Sequence, residues 1–271
     1  MEKEKNALTL PVAIVVAGII IGGAIFVTRE GQVKSVFPEP QQQTPPSNTQ
    51  DIASRPVDAN DHILGNPNAK ILMVEYSDLE CPFCKSFHKT MRTLLDEYGK
   101  EGNVAWVYRH FPLDIHPKSP KESEAAECAN ELGGNDKFWA YVNKIFEITP
   151  SNNGLGASKL PEVAGQIGLN VTTFQTCLSS GKYAEKVKAD YSDGLKAGVN
   201  GTPNTVLVLT NPLTAAAEKR LGEINQNIMR QLPASSQSVL TIDSGKQKVD
   251  IGGAFQYQMM KEILDLILSG K

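Results

Sequence analysis

The sequence has no excess of basic residues. Its 27 lysines and arginines are outnumbered by 30 aspartates and glutamates, giving a formal net charge of -3. Domains that bind nucleic acid usually carry the opposite balance, because phosphates must be neutralised, so no nucleic-acid partner is expected. There is no glycine-rich phosphate loop, no repeat at a fixed period and no dense cluster of histidine and cysteine at metal-finger spacing. Cysteine is scarce, with four in 271 residues. The single CxxC supplies two of the about four ligands that a structural zinc needs, and no second CxxC or HxxxH completes the set. Neither a metal nor an organic cofactor is therefore expected.

What is present is unevenly distributed. At 41% hydrophobic, the chain can bury a core, but one stretch is apolar for another reason. After an N-terminal flank of residues 1–6, Ala7 to Val27 are 21 residues without a charge. At about 1.5 Å per residue this run spans a hydrocarbon layer of about 30 Å, whereas the apolar part of a cleaved signal peptide is about 7 to 15 residues. The expectation is a single transmembrane anchor. No cysteine follows it to carry a lipid, and Lys3 and Lys5 are balanced by Arg29 and Lys34, which leaves its orientation open. Residues 28–59 turn to Pro, Gln, Ser, Thr and Asn, including Gln41-Gln42-Gln43 and Pro45-Pro46, the composition of a flexible, solvated linker.

From residue 60 to 271 the pattern is that of a folded α/β domain. Strands are expected at Ile71 to Tyr76, Val104 to Phe111, Thr205 to Leu209 and Val249 to Ile251. Between the first two, Phe83, Phe87, Met91, Leu94, Leu95 and Tyr98 recur at helical spacing from Pro82 to the stop at Gly99. Residues 116–199 carry only helical patterns, at Ala125 to Leu132, Lys137 to Ile148, Leu160 to Ile167, Thr172 to Leu178 and Lys182 to Ala197. A last amphipathic helix runs from Phe255 to Leu268. Residues 211–248 are longer than a hairpin requires: a helical stretch at Ala215 to Leu232 is followed by a strand-like run at Val239 to Asp243.

Cys81-Pro82-Phe83-Cys84 falls where the first strand meets the first helix. There Cys81 would sit among unpaired backbone N-H groups at the positive end of the helix dipole, an environment that favours the thiolate, the attacking species in disulfide exchange. Cys84, one turn deeper, would be the shielded resolving thiol. The alternatives are half of a metal site or two inert buried thiols. Phe83 is either a substrate platform or a shield, His88 either polarises the site or lies on the helix surface, and His110 and His116 are expected to pack or cap.

Several motifs occur in order around this pair: Val74-Glu75-Tyr76-Ser77-Asp78-Leu79-Glu80, Lys85-Ser86-Phe87-His88, Arg109-His110-Phe111-Pro112-Leu113 with His116-Pro117, and Gly201-Thr202-Pro203. Together, over roughly Asp61 to Leu268, they resemble the DsbA-like thiol-disulfide oxidoreductases of bacterial cell envelopes. The resemblance implies a thioredoxin fold with an inserted helical subdomain. It implies that Pro203 follows a cis peptide bond facing the cysteines, leaving Thr202 backbone groups to pair with a substrate strand. It also places Glu75 as a buried acid under the site, a candidate proton relay for Cys84 or else a partly solvated strand acid. Glu80 departs from the strongly oxidising type and would raise the pKa of Cys81 if it pointed inward. Some relatives carry cysteines where Cys128 and Cys177 fall. In an oxidising compartment an even count favours a structural disulfide, with two buried free thiols as the alternative.

The expectation is an extracytoplasmic enzyme, anchored in the cell membrane by one pass, that introduces disulfides into exported cysteine-containing proteins. A membrane quinone-linked disulfide-generating partner would reoxidise it. A reductase or isomerase with the same site is the closest alternative. A soft-metal chaperone would need further ligands, and no methionine cluster adjoins the motif. Glu218, Lys219, Arg220, Glu223 and Arg230 mark a solvated face on the helix within 211–248, which is expected to cover a sheet edge or to shape partner docking.

Overall fold

Short runs of β-branched and aromatic residues make the strands of one mixed sheet in the computed structural model, which describes residues 51–233 and 236–270. The strands are β1 (His62–Leu64), β2 (Ile71–Ser77), β3 (Val104–His110), β4 (Asn204–Leu209), β5 (Leu240–Ile242) and β6 (Lys248–Gly252), in the order β1-β3-β2-β4-β6-β5. β2 and β3 are parallel, joined by the crossover helix α1 (Pro82–Tyr98), and the other described pairings are antiparallel. β1 has no counterpart in the sequence expectation. It is three residues long, too short to show alternation, and is fixed at the edge by pairing His62 opposite Tyr108.

The inserted helices between β3 and β4 are α2 (Ser119–Ile148), α3 (Lys159–Gln166), α4 (Val171–Ser180) and α5 (Ala184–Ala197). The two helices expected at Ala125 to Leu132 and Lys137 to Ile148 both lie in α2, divided at Gly134, whose non-helical φ of 74° suits a residue without Cβ. Cys128 on α2 and Cys177 on α4 are joined by a disulfide, their Cα atoms 5.9 Å apart. In the segment 211–248, α6 (Ala215–Met229) packs beside β5, and β5 adds a strand outside β6. The chain closes with α7 (Tyr257–Ser269).

Alternation along the strands divides the core. Met73, Trp106, Leu207 and Ile251 face α1, α7 and the inserted helices, meeting Phe87, Met91, Phe138 and Ile263. Burying each such large apolar side chain stabilises the fold by about 1.5–3 kcal/mol relative to leaving it in water. Val74, Tyr76, Val107 and Val206 face the other way, against Phe111, Ala197, Val199 and Ile52.

The last of these corrects the expected end of the linker. The chain is packed from about residue 51, not from 60. Ile52 is buried in the second core, the Arg55 backbone N-H donates to Asp193 at 2.7 Å, and its guanidinium reaches Asp61 at 2.6 Å and Asp190 at 3.1 Å. A polar composition conceals one apolar anchor and one arginine whose partners lie far along the sequence. The apolar run 7–27 and the rest of the linker fall outside the described residues. Among the described residues no helix is long and apolar enough to cross a membrane.

Candidate active site

Helix α1 begins where its sequence says it should. Cys81 is the extended N-cap residue, Pro82 follows with the φ a first turn needs, and the first turn contains no acidic side chain. Both thiols are free and buried, Cys81 3% exposed and Cys84 not at all. The peptide between Thr202 and Pro203 is cis, and the Cys81 thiol donates to the Thr202 carbonyl at 3.4 Å. Pro82 and Phe83 lie on the surface, Phe83 with 65% of its area exposed.

The two thiols are electrostatically opposite. The hydrogen bond from Cys84 is the main cause that brings the Cys81 pKa down to about 6, against the opposing effect of burial. Burial, reinforced by the neighbouring Cys81, pushes Cys84 well above the ordinary thiol range. The Asp78 backbone N-H also points at the Cys84 sulfur, 3.5 Å away. One thiol is thus prepared to attack or to leave, and the other to keep its proton.

Glu75 lies below them on β2, fully buried between Tyr108 of β3 and Thr205 of β4. The Trp106 indole N-H donates to Glu75 Oε2 at 2.9 Å, while Oε1 has no hydrogen-bond partner among the described residues. Burial pushes its carboxyl up to about 7, only partly offset by the Trp106 hydrogen bond and the nearby Ser77 hydroxyl. Its charge is one of the causes that raise Cys84.

Glu80 does not face the thiol. It is fully buried, turned toward the inserted helices, and its Oε1 accepts from the Leu155 backbone N-H at 3.4 Å. There it meets Glu122 of α2, whose carboxyl is pushed up to about 9 by burial and by its hydrogen bond to Glu80. His88 is not on the helix surface either. It belongs to the buried stripe of Cys84, Phe87, His88 and Met91, donates to Asn143 Oδ1 at 2.7 Å and packs against Trp106 and Phe146. Burial lowers its pKa to about 4. His110 and His116 do more than pack: His110 Nε2 and His62 Nε2 share Glu127 Oε1 at 3.0 and 2.8 Å, and His116 Nδ1 donates to Asp78 Oδ2 at 2.7 Å.

Trp106, Tyr108, Asp78 and Glu122 were not among the expected site residues. Trp106 and Tyr108 become visible only when β3 is laid beside β2 in register. The stripe that buries His88, by contrast, was available in the i, i+3, i+4 spacing from Cys84.

A family model described as Thioredoxin matches residues 58–213. Among curated proteins, the chain is 32% identical over 151 residues to the Na(+)/H(+) antiporter NhaA 1 of Salinispora arenicola, a match covering 55% of this chain and 22% of that one. The chain thus spans about a fifth of the length of the curated relatives it matches. Among solved structures, it is similar to Wolbachia pipientis alpha-DsbA1, with a TM-score of 0.58 and 22% identity over 79% of this chain and 93% of that one. It is likewise similar to Pseudomonas aeruginosa DsbA2, with a TM-score of 0.55 and 22% identity over 78% and 96%. With the family model matching more than half of its length and the same fold in these structures, the chain belongs to the thioredoxin family.

Proposed function

We propose that the chain is a thiol-disulfide oxidoreductase that oxidises cysteine pairs in exported proteins through Cys81 and Cys84. The observation that carries this reading is the asymmetry of the pair: Cys81 at a helix N-terminus with its pKa near 6, Cys84 fully buried with its pKa raised. A substrate thiolate attacks the Cys81 sulfur of the Cys81-Cys84 disulfide. The Cys81-substrate bond forms, the bond to Cys84 breaks, and Cys84 leaves as a thiolate that takes up a proton, for which Glu75 is the buried donor. The second substrate thiolate then attacks the substrate sulfur of the mixed disulfide and releases Cys81. Two electrons pass from substrate to enzyme, and the substrate leaves with a disulfide.

A thiol that is acidic in the reduced enzyme stabilises that state and makes the disulfide a better oxidant. Thr202, next to the thiol, offers main-chain groups to an extended substrate segment. The DsbA names of the solved structures that share the fold agree with this chemistry. The enzyme is placed on the outer side of the cell membrane, held by residues 7–27, with a quinone-linked membrane partner to restore its disulfide. Ion antiport is not carried over from the curated relatives, of which the match takes in 22%.

A second reading, reductase or isomerase, is favoured by one number. A Cys81 pKa of about 6 lies nearer the value of about 7 for thioredoxin than the value of about 3.5 for DsbA. Equilibration of the full chain with glutathione, with alkylated species counted by mass spectrometry, separates the two. A potential toward about -120 mV supports the oxidase, and one toward about -270 mV the reductase.

A further inference from the structure

The sheet carries a second polar site on the side away from Glu75. Asn204 and Asp250 project from the same face, because Asn204 and Val206 alternate along β4 and Val206 pairs with Asp250 of β6. At about 3.3 Å per residue, Asp250 stands some 6–7 Å further down the sheet than Asn204. Both line a cavity of about 750 Å³, together with Thr202, Pro203, Gln237, Ser238 and Val239. The last three come from the segment 211–248.

Three buried oxygens on the walls of this cavity lack a donor. Thr202 Oγ1, Asn204 Oδ1 and Asp250 Oδ1 are buried oxygens with no hydrogen-bond partner among the described residues, and Asn204 as a whole is 6% exposed. Buried polar atoms are nearly always paired, so three such atoms around one open space call for a ligand that donates. Among the described residues that line the cavity, two are aspartates, Asp51 and Asp250, and none is lysine or arginine. Burial pushes the Asp250 carboxyl up to about 6, partly offset by the Asn204 side chain, which leaves it largely charged at neutral pH with no cation among the described residues lining the cavity.

We infer that this cavity is a specificity pocket for a basic side chain, arginine above all, of the polypeptide whose cysteine reacts at Cys81. A substrate strand paired with Thr202 passes the cavity, because Thr202 lines it and the Thr202 carbonyl is 3.4 Å from the Cys81 sulfur. An arginine on a residue flanking the paired one enters the cavity beside Asn204, toward Asp250. Its planar fork of five N-H donors serves a carboxylate and two further acceptors at once, which an ammonium point charge does less well.

The inference rests on the exchange reading, and its test separates the two. The preoxidised full chain is presented with dicysteine peptides that differ at one position flanking the first cysteine, where arginine, its neutral isostere citrulline, or alanine is placed in turn from two residues before to two after. The second-order rate of peptide oxidation is expected to be about tenfold higher for arginine than for citrulline at one position. In Asp250→Asn the ratio is expected to fall below twofold; in Asp250→Glu, which keeps the charge, it persists. Glu185→Gln, which removes a charge from an exposed stretch of α5, leaves the ratio as it was. A wild-type ratio below twofold at every position, with dithiothreitol still oxidised, overturns the pocket alone, as does a ratio that survives Asp250→Asn. If the wild-type chain oxidises neither the peptides nor dithiothreitol, the exchange reading fails and the pocket falls with it. The wild-type comparison of arginine with citrulline needs no variant to fold.

Discussion

Trp106 donates its indole N-H to one oxygen of Glu75, and the other oxygen has no hydrogen-bond partner among the described residues. Burial stabilises the neutral form of this acid, and the single indole donor, which favours the charge, offsets that only in part. Its carboxyl titrates near 7 instead of its ordinary 4.5, with burial as the leading cause. Between those values the unfolded chain has released its proton while the folded chain still holds it. Stability therefore falls as pH rises through this window, by about 3 kcal/mol in all, and levels off above it. Glu75→Gln keeps an acceptor for Trp106 and has no charge to bury. It is expected to match the parent protein near pH 4 and to exceed it by about 2–3 kcal/mol at pH 8. Denaturant unfolding at the two pH values checks this, and a difference independent of pH would exclude a buried, titrating Glu75.

The asymmetry of the cysteines predicts a simple chemical pattern. With a pKa of about 6, Cys81 is about nine-tenths thiolate at pH 7, where an ordinary thiol is thiolate to only a few per cent. Alkylation of the reduced native chain by iodoacetamide should rise through pH 6, level off above it, and fall on Cys81 alone, since Cys84 is buried and holds its proton. Peptide mapping after a short exposure reads both. An inflection near 8.5 would mean that neither the helix N-terminus nor the bond from Cys84 stabilises the thiolate.

How much of this was open to sequence reading depended on the range of the interactions. α1 runs from Pro82 to Tyr98 as expected because both ends carry local signals, a proline in the first turn and a glycine after the last. The helices of the inserted segment were legible for the same reason, since their apolar spacing is written within each. β1 was not, because three residues give no period and only the pairing with β3 makes them a strand. The direction of Glu80 was hidden as well. Which way it points depends on where α2 docks, and that is decided by contacts some forty residues distant, with Glu122. The end of the linker failed similarly, since Arg55 finds Asp190 and Asp193 on a helix about 135 residues later.

That cluster of charges has its own test. Arg109 is fully buried. Its guanidinium holds Asp61 through Nε and Nη2, both at 3.0 Å, and Asp193 through Nη1 at 2.7 Å, and it donates to the carbonyls of Arg55 and Pro56. Removing the cation strands buried carboxylates, which costs far more than the intact pair contributes. Arg109→Met is therefore expected to lose about 3–5 kcal/mol and to free residues 51–57 for proteolysis. A loss below about 1 kcal/mol would show that Arg55 alone compensates the aspartates.

The bridge between Cys128 and Cys177 should be separable from the chemistry at Cys81. It joins α2 to α4 across a sequence separation of 49, which in the chain-entropy view is worth about 4 kcal/mol through restriction of the unfolded chain. The bridge is largely shielded, with Cys128 1% and Cys177 6% exposed, and it lies within the helical insertion. A double replacement by alanine is expected to lower unfolding stability by about 2–4 kcal/mol and to leave the alkylation profile of Cys81 where it was. Mild reductant should open the Cys81-Cys84 disulfide while Cys128 and Cys177 stay protected from alkylation in the folded chain. If all four cysteines were alkylated together at the lowest reductant concentration, the bridge would be part of the redox cycle and not a brace for the inserted helices.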